Sequence, residues 1–292
     1  MKAGFWVAPE GEDAGVSMMP IGIDATASGF AGRSGLTGAG TISFLATASA
    51  TELIERCPEV AALLPRLVEA LRVQEVGTAS RLFDLSDYGP DDLTLIGQVL
   101  GEGEVSATVA LPDGVIAQVQ ESVMAGLWRV RFTDAAGALV ADYVEVASIP
   151  AAIERAARAT PVLDAIGVPP AGAMNVLPLL TEIRDRAAAH VEGAPSHTIT
   201  FSLFPMSEAD MAFLQETLGP GPVQILSRGY GTCRIVATGV RNVWSVQFFN
   251  AMDTIVLDTL EIGGVPVTAR AAVEDFRDSA ERLEEIEEAY FR

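Results

Sequence analysis

The sequence predicts an α+β chain of two tandem homologous repeats, each an antiparallel β-meander with packed helices. Three observations carry this. First, the chain repeats itself. "LWRVRFTDAAGALVADYVEVASIP" (127–150) matches "VWSVQFFNAMDTIVLDTLEIGGVP" (243–266), 116 positions on. Trp128 pairs with Trp244, Val130 with Val246, Phe132 with Phe248, Asp142 with Asp258, Glu145 with Glu261 and Pro150 with Pro266. Upstream, "DLTLIGQVLGEGEV" (92–105) matches "DMAFLQETLGPGPV" (210–223), 118 positions on, which places a small indel in the hairpin between. Second, apolar residues alternate with polar ones, as in Trp128, Val130 and Phe132 against Arg129, Arg131 and Thr133. Third, strand follows strand through short turns such as "TDAAGA", which argues against parallel crossovers.

The elements follow in order. Residues 1–48 are rich in Gly, Ala, Ser and Thr, lack periodicity and read as a flexible arm. The first repeat spans 49–160 and the second 161–292. "TELIERCPEVAALLPRLVEALR" has helical spacing broken by Pro58 and Pro65, which predicts two short helices joined at a proline. "HTITFSLFP" (197–205) reads as a strand of the second repeat. A helix capped near Asp87 or Ser207 runs to "LGEGEV" or "LGPGPV", where glycine suits a helix end. A three-stranded meander follows. A helix starts at Pro150, and a long charged one covers about 267–290 after Pro266, with Val273, Phe276, Ala280, Leu283 and Ile286 as its apolar stripe.

Composition narrows function. The 292 residues carry a formal net charge of −20, which repels phosphate backbones and anionic membranes and suits basic partner surfaces. No run of 18 apolar residues predicts a membrane span, and "MKAGFWVAPEGED" does not read as a secretory signal. Lys2 is the only lysine, so the body of the chain offers no Schiff-base or P-loop lysine. Cys57, Cys233, His190 and His197 are scattered, so no metal, iron–sulfur cluster or other cofactor is expected. The G-x-G pairs come after a helix and before a strand, the reverse of a dinucleotide fingerprint. No acid–base or nucleophile set emerges, so no catalytic residue is assigned and no enzyme is expected. Asp142 and Asp258, on apolar strand faces in both repeats, are expected to pair with arginine or cap backbone.

One difference between the repeats stands out. Opposite the plain turn "LPDGVIAQ", the second repeat has "SRGYGTCR". Its Arg228, Gly229, Tyr230, Gly231, Cys233 and Arg234, with Arg241 beyond, form the candidate partner contact. Two other readings stay open. The stretch is also compatible with a glycine-rich hairpin holding an inert cysteine. An exposed Cys233 beside arginines would instead favour a thiolate for redox or cluster-handling work with ligands from a partner.

"LLTEIRDRAAAH", "LSRGYGTCRIVAT", "VWSVQFFNAMDTIVLDTLEIGGVP" and "AAVEDFRDSAERL" resemble the C-terminal region of the HupH/HyaF family, accessory proteins encoded with uptake [NiFe]-hydrogenases. The resemblance is strong over about 175–285 and weaker over about 50–150. It implies a cytoplasmic, non-catalytic maturation factor for the iron–sulfur small subunit. Its expected partners are the immature small subunit and other hydrogenase accessory proteins; a homo-oligomer stays open. An acidic surface suits a basic client segment such as an arginine-bearing export signal.

Overall fold

The computed structural model describes residues 38–229 and 231–292, so residues 1–37 of the expected arm and Tyr230 lie outside it. The end of that arm is ordered. Gly38–Leu45 forms helix α1, with Leu45 buried. Helices α2 (Ala48–Arg56) and α3 (Pro58–Arg72) meet at Cys57, as the proline predicts. Pro65, however, lies inside α3 without ending it. Burial of Leu63, Leu64, Leu67 and Leu71 outweighs the missing hydrogen bond, each buried leucine contributing about 2 kcal/mol.

Strand β1 (Arg81–Asp84) leads to α4 (Pro90–Leu100), whose cap is Gly89 rather than Asp87. Four strands follow where three were expected: β2 (Val105–Ala110), β3 (Ile116–Glu121), β4 (Leu127–Thr133) and β5 (Leu139–Val146). Helix α5 (Ala151–Ala159) begins just after Pro150, and the Glu145 carboxylate accepts the Ala151 N–H at 2.9 Å.

The second stretch repeats this order. It runs through α6 (Val176–Ala189), β6 (His197–Thr200), α7 (Glu208–Leu218), β7 (Pro220–Ser227), β8 (Thr232–Thr238), β9 (Val243–Phe249) and β10 (Ile255–Ile262). Two boundaries differ from expectation. β6 passes into a 3-10 turn at Phe201–Leu203 instead of extending to 205. After Pro266 comes only a short 3-10 turn, and the last helix, α8, covers Val273–Tyr290. No helix among the described residues is long and apolar enough to cross a membrane.

The chain forms two compact units. One gathers 38–106, Pro112–Ala151 and Arg270–Arg292. Its strands lie in the order β1-β5-β4-β3, all antiparallel. Its core joins Leu63, Leu67 and Leu71 of α3 and Leu127, Val144 and Val146 of the sheet to Phe276, Ala280, Leu283 and Ile286 of α8. Four residues of the expected α8 stripe are therefore core, while Val273 is exposed. The other unit holds Ala107–Leu111 and Ala152–Ala269. Its strands run β7-β8-β9-β10-β6, antiparallel, with Leu179, Leu180 and Ile183 of α6, Leu214 and Leu218 of α7, and Val243, Leu260 and Ile262 in one core. The helix after each meander thus belongs to the other unit: α5 follows β5 but lies in the second, and α8 follows β10 but lies in the first.

Matching positions carry the same local devices. Gly101 and Gly219 end α4 and α7 at φ +59°. Ser122 and Thr238 each bond both backbone groups of the residue two on. Gly126 and Asn242 sit at φ +84° and +62°. Asp134 and Asn250 each accept two turn N–H groups. The register slips at Val140 in β5 and at Val256 in β10. These bulges turn Val140 and Val256 to solvent, where strict strand alternation would set them on the same buried face as Asp142 and Asp258.

Glu121 departs from the correspondence. Glu121 faces Trp128 across β3 and β4, where Ala237 faces Trp244. The Glu121 carboxylate is buried and accepts N–H groups of Val105 and Gly126, with Asp275 of α8 and Glu104 nearby. Burial pushes it up to about 7 from 4.5, and the two acids add to the rise. An acid raised in the folded state favours folding below its unfolded value and loses that contribution as pH rises through about 7. Stability should therefore fall by about 3 kcal/mol between pH 5 and 8 on this account. Thermal melts across that range check it: Glu121→Ala should flatten the slope, and an unchanged slope would contradict it.

Candidate functional site

The 227–234 stretch is a hairpin turn at one end of the second unit's sheet. β7 and β8 pair with Ser227 opposite Cys233, which leaves Arg228, Gly229 and Gly231 at the tip. Gly231 has φ +107°, and a Cβ there would lie 3.4 Å from the Phe249 carbonyl oxygen, so only glycine fits without strain. Arg228 is exposed. Arg234 points its guanidinium into a half-buried position, where desolvation lowers its affinity for the proton.

Cys233 is 3 % exposed, opposite Phe248 in β9. Burial pushes the thiol up to about 12, and the Glu261 carboxylate adds to the rise. The exposure that a thiolate reading required is absent, so at neutral pH the group is a protonated thiol and a poor nucleophile. Arg241 lies at the far end of β8 from the tip. Its Nε donates to the Thr160 carbonyl at 3.0 Å and its N–H to the Pro161 carbonyl at 2.7 Å, anchoring the segment after α5. Of the described candidates, the structure gathers Arg228, Gly229, Gly231, Cys233 and Arg234 and leaves Arg241 apart.

What sequence reasoning missed lies beside the tip. Thr232 faces Phe249, and Phe249 faces Ile255, so the β9–β10 turn (250–254) sits at the same sheet end, about 10 Å or two strand spacings away. β6 pairs with β10 through Thr200 and Thr259, and the Phe201–Leu203 turn continues along β10 toward Leu257 and Val256. Five large apolar side chains are exposed here: Leu203 (78 %), Phe204 (41 %), Met252 (80 %), Val256 (62 %) and Leu257 (40 %). The run Ile255-Val256-Leu257 was the readable signal, because three successive apolar residues cannot all face one core from a regular strand.

The remaining polar candidates are structural. Asp142 is buried and takes both Nε (3.1 Å) and Nη2 (2.8 Å) of Arg129, with Arg131 close by. Asp258 instead accepts from the Gln247 amide at 3.3 Å. His197 Nε2 lies 3.0 Å from the Glu182 carboxylate, and His190 caps α6. Among the described residues no cluster of three or more His, Cys, Asp and Glu side chains is placed to hold a metal ion.

Two stretches of the chain, 59–165 and 173–290, match the family model "HupH hydrogenase expression protein, C-terminal conserved region". The chain is 60% identical over 292 residues, all of both chains, to the hydrogenase expression/formation protein HupH of Rhizobium leguminosarum bv. viciae. It is 45% identical over 234 residues to HoxQ of Azotobacter vinelandii, covering 80% of this chain and 82% of that one. It is 37% identical over 241 residues to the hydrogenase-1 operon protein HyaF of Escherichia coli, covering 80% and 83%. With both stretches of the family model present and similarity running the full length of a named member, the chain belongs to the HupH hydrogenase expression protein family.

Proposed function

We propose that this chain is a cytoplasmic accessory factor that holds the immature small subunit of an uptake [NiFe]-hydrogenase during assembly, without catalysing a reaction, alongside other hydrogenase accessory proteins. The observation that carries the proposal is the exposed apolar surface of Leu203, Phe204, Met252, Val256 and Leu257 beside the Arg228 turn. Exposed apolar groups gathered at one sheet end mark a contact surface, and an incompletely folded client offers apolar segments to it. The names of the relatives, hydrogenase expression and formation proteins, supply the client class. Arg228, Gly229, Gly231 and Arg234 form the polar rim in this reading, with Cys233 as its buried support. The matching devices of the two halves further support a tandem duplication, with sequence halves 49–160 and 161–292 that do not coincide with the compact units.

Affinity capture on the full chain tests the proposal, from cells that contain and cells that lack the small subunit. The small subunit should be the captured protein in the first and missing from the second. The same captured set from both would contradict it.

A further inference from the structure

A second surface lies in the first unit. Ile42 of α1 and the flank of α8 beside its buried stripe line an open cleft of about 450 Å³. Its apolar part is Ile42, 46 % exposed, with Ile286 and Tyr290. Its rim is Asp278, Glu281 and Glu285, all exposed. Arg282 also lines it, but its Nη1 donates to the Val123 carbonyl at 3.2 Å, which draws the guanidinium toward its own fold.

The charges of α8 are matched unevenly. Glu284 is paired with Arg72, Glu287 and Glu288 with Arg292, and Asp278 with its neighbour Arg277. No ion pair among the described residues involves Glu281 or Glu285, two of the three acids on the cleft. Four residues apart on a helix, they are about 6 Å apart along the axis. Alternate side chains of an extended segment repeat at about 7 Å on one side. A segment with two cationic side chains at that spacing, and an apolar one against Ile42, matches the cleft in charge and in period.

The geometry points to a docking cleft for a basic, apolar-containing segment of a partner protein, seated between α1 and α8. A second copy of this chain is a poor occupant, because two bodies of charge −20 repel. The inference is independent of the apolar surface in the second unit and of the identity of any hydrogenase client.

Fluorescence anisotropy with the full chain tests it. The probe is a labelled Arg-Leu-Arg-Leu-Arg peptide, with Glu-Leu-Glu-Leu-Glu as its counterpart. The basic peptide should bind saturably, more weakly as salt rises, and the acidic one should not bind. Glu281→Gln with Glu285→Gln should weaken binding about fivefold, and Ile42→Ser by a similar factor. Glu52→Gln with Glu69→Gln makes the same charge change at exposed residues of the same unit that do not line the cleft and should leave affinity unchanged. All replaced side chains are exposed, and thermal melts verify that each variant folds. Equal weakening by both double variants, no effect of Ile42→Ser, or no saturable binding to the unaltered chain would each overturn the inference.

Discussion

Asp210→Ala should lower the unfolding free energy by about 4 kcal/mol. Asp210 is fully buried, and its two oxygens hold two helix starts at once. Oδ1 accepts the N–H groups of Asn175 (2.8 Å) and Val176 (3.0 Å) at the beginning of α6. Oδ2 accepts the Ser207 N–H (2.9 Å) and hydroxyl (2.7 Å) at the cap of α7. Burial alone would raise this acid, but those four bonds outweigh it and hold it below 3.8. Removal leaves several donors facing apolar surroundings, and each costs about 1–3 kcal/mol when unsatisfied. Asp210→Asn keeps one acceptor oxygen and should lose about half as much. Asp92, at the matching position, supplies a simpler comparison: its carboxylate takes the Gly89 N–H at 3.0 Å, it is less buried, and Asp92→Ala should cost about 1 kcal/mol. Denaturant titration measures all three. An Asp210→Ala chain within 1 kcal/mol of the unaltered protein would contradict this account of the two helix starts.

The second large effect belongs to the G-x-G pairs, whose two glycines have different reasons. Gly221 carries no left-handed φ, yet a Cβ there would meet the Thr238 carbonyl oxygen at 2.2 Å and that of Ala237 at 2.5 Å. Gly103 repeats this with the Ser122 carbonyl oxygen at 2.2 Å. The colliding atoms are backbone in a paired strand or its end and cannot swing aside. Gly221→Ala and Gly103→Ala should each cost about 3 kcal/mol or more. Gly219 is the reverse case: its φ is +59° but a Cβ would meet nothing within 4 Å. Gly219→Ala should cost only about 1 kcal/mol, and asparagine less. Melting curves that rank Gly219→Ala as the worst of the three would overturn the assignment. The glycines thus serve a helix end and a close strand approach, which accounts for a motif order unlike a nucleotide fingerprint.

Element order was legible wherever local chemistry decides it. Glycine ended α4 and α7, Pro58 opened α3, and Asp142 found the arginines that its apolar strand demanded. Tertiary choices were not. Nothing in the α8 stripe says which sheet it covers, because Phe276, Leu283 and Ile286 would pack on any apolar face, and adjacency in sequence favours the wrong one. The bulges at Val140 and Val256 shift alternation by one residue, a step that a period-2 pattern cannot display. At the site, the asymmetry between halves located the tip at Arg228 but not the orientation of Cys233. That orientation follows from its pairing with Ser227 and Phe248, which places the thiol inward and Arg234 on the other face. Arg241 looked like part of the same basic stretch, and only the fold shows its side chain committed to Thr160.

The proposed client contact rests on side chains that the second unit's core does not need. Leu203 and Val256 are among the more exposed of them, so charged replacements there should leave the fold intact and act on binding alone. The direct measurement is calorimetric titration of a purified hydrogenase small-subunit precursor into the full chain, unaltered and as the Leu203→Asp, Val256→Asp variant. The account predicts that the variant, with an unchanged melting curve, binds at least about tenfold more weakly. Equal affinity of the two proteins for the precursor would contradict it.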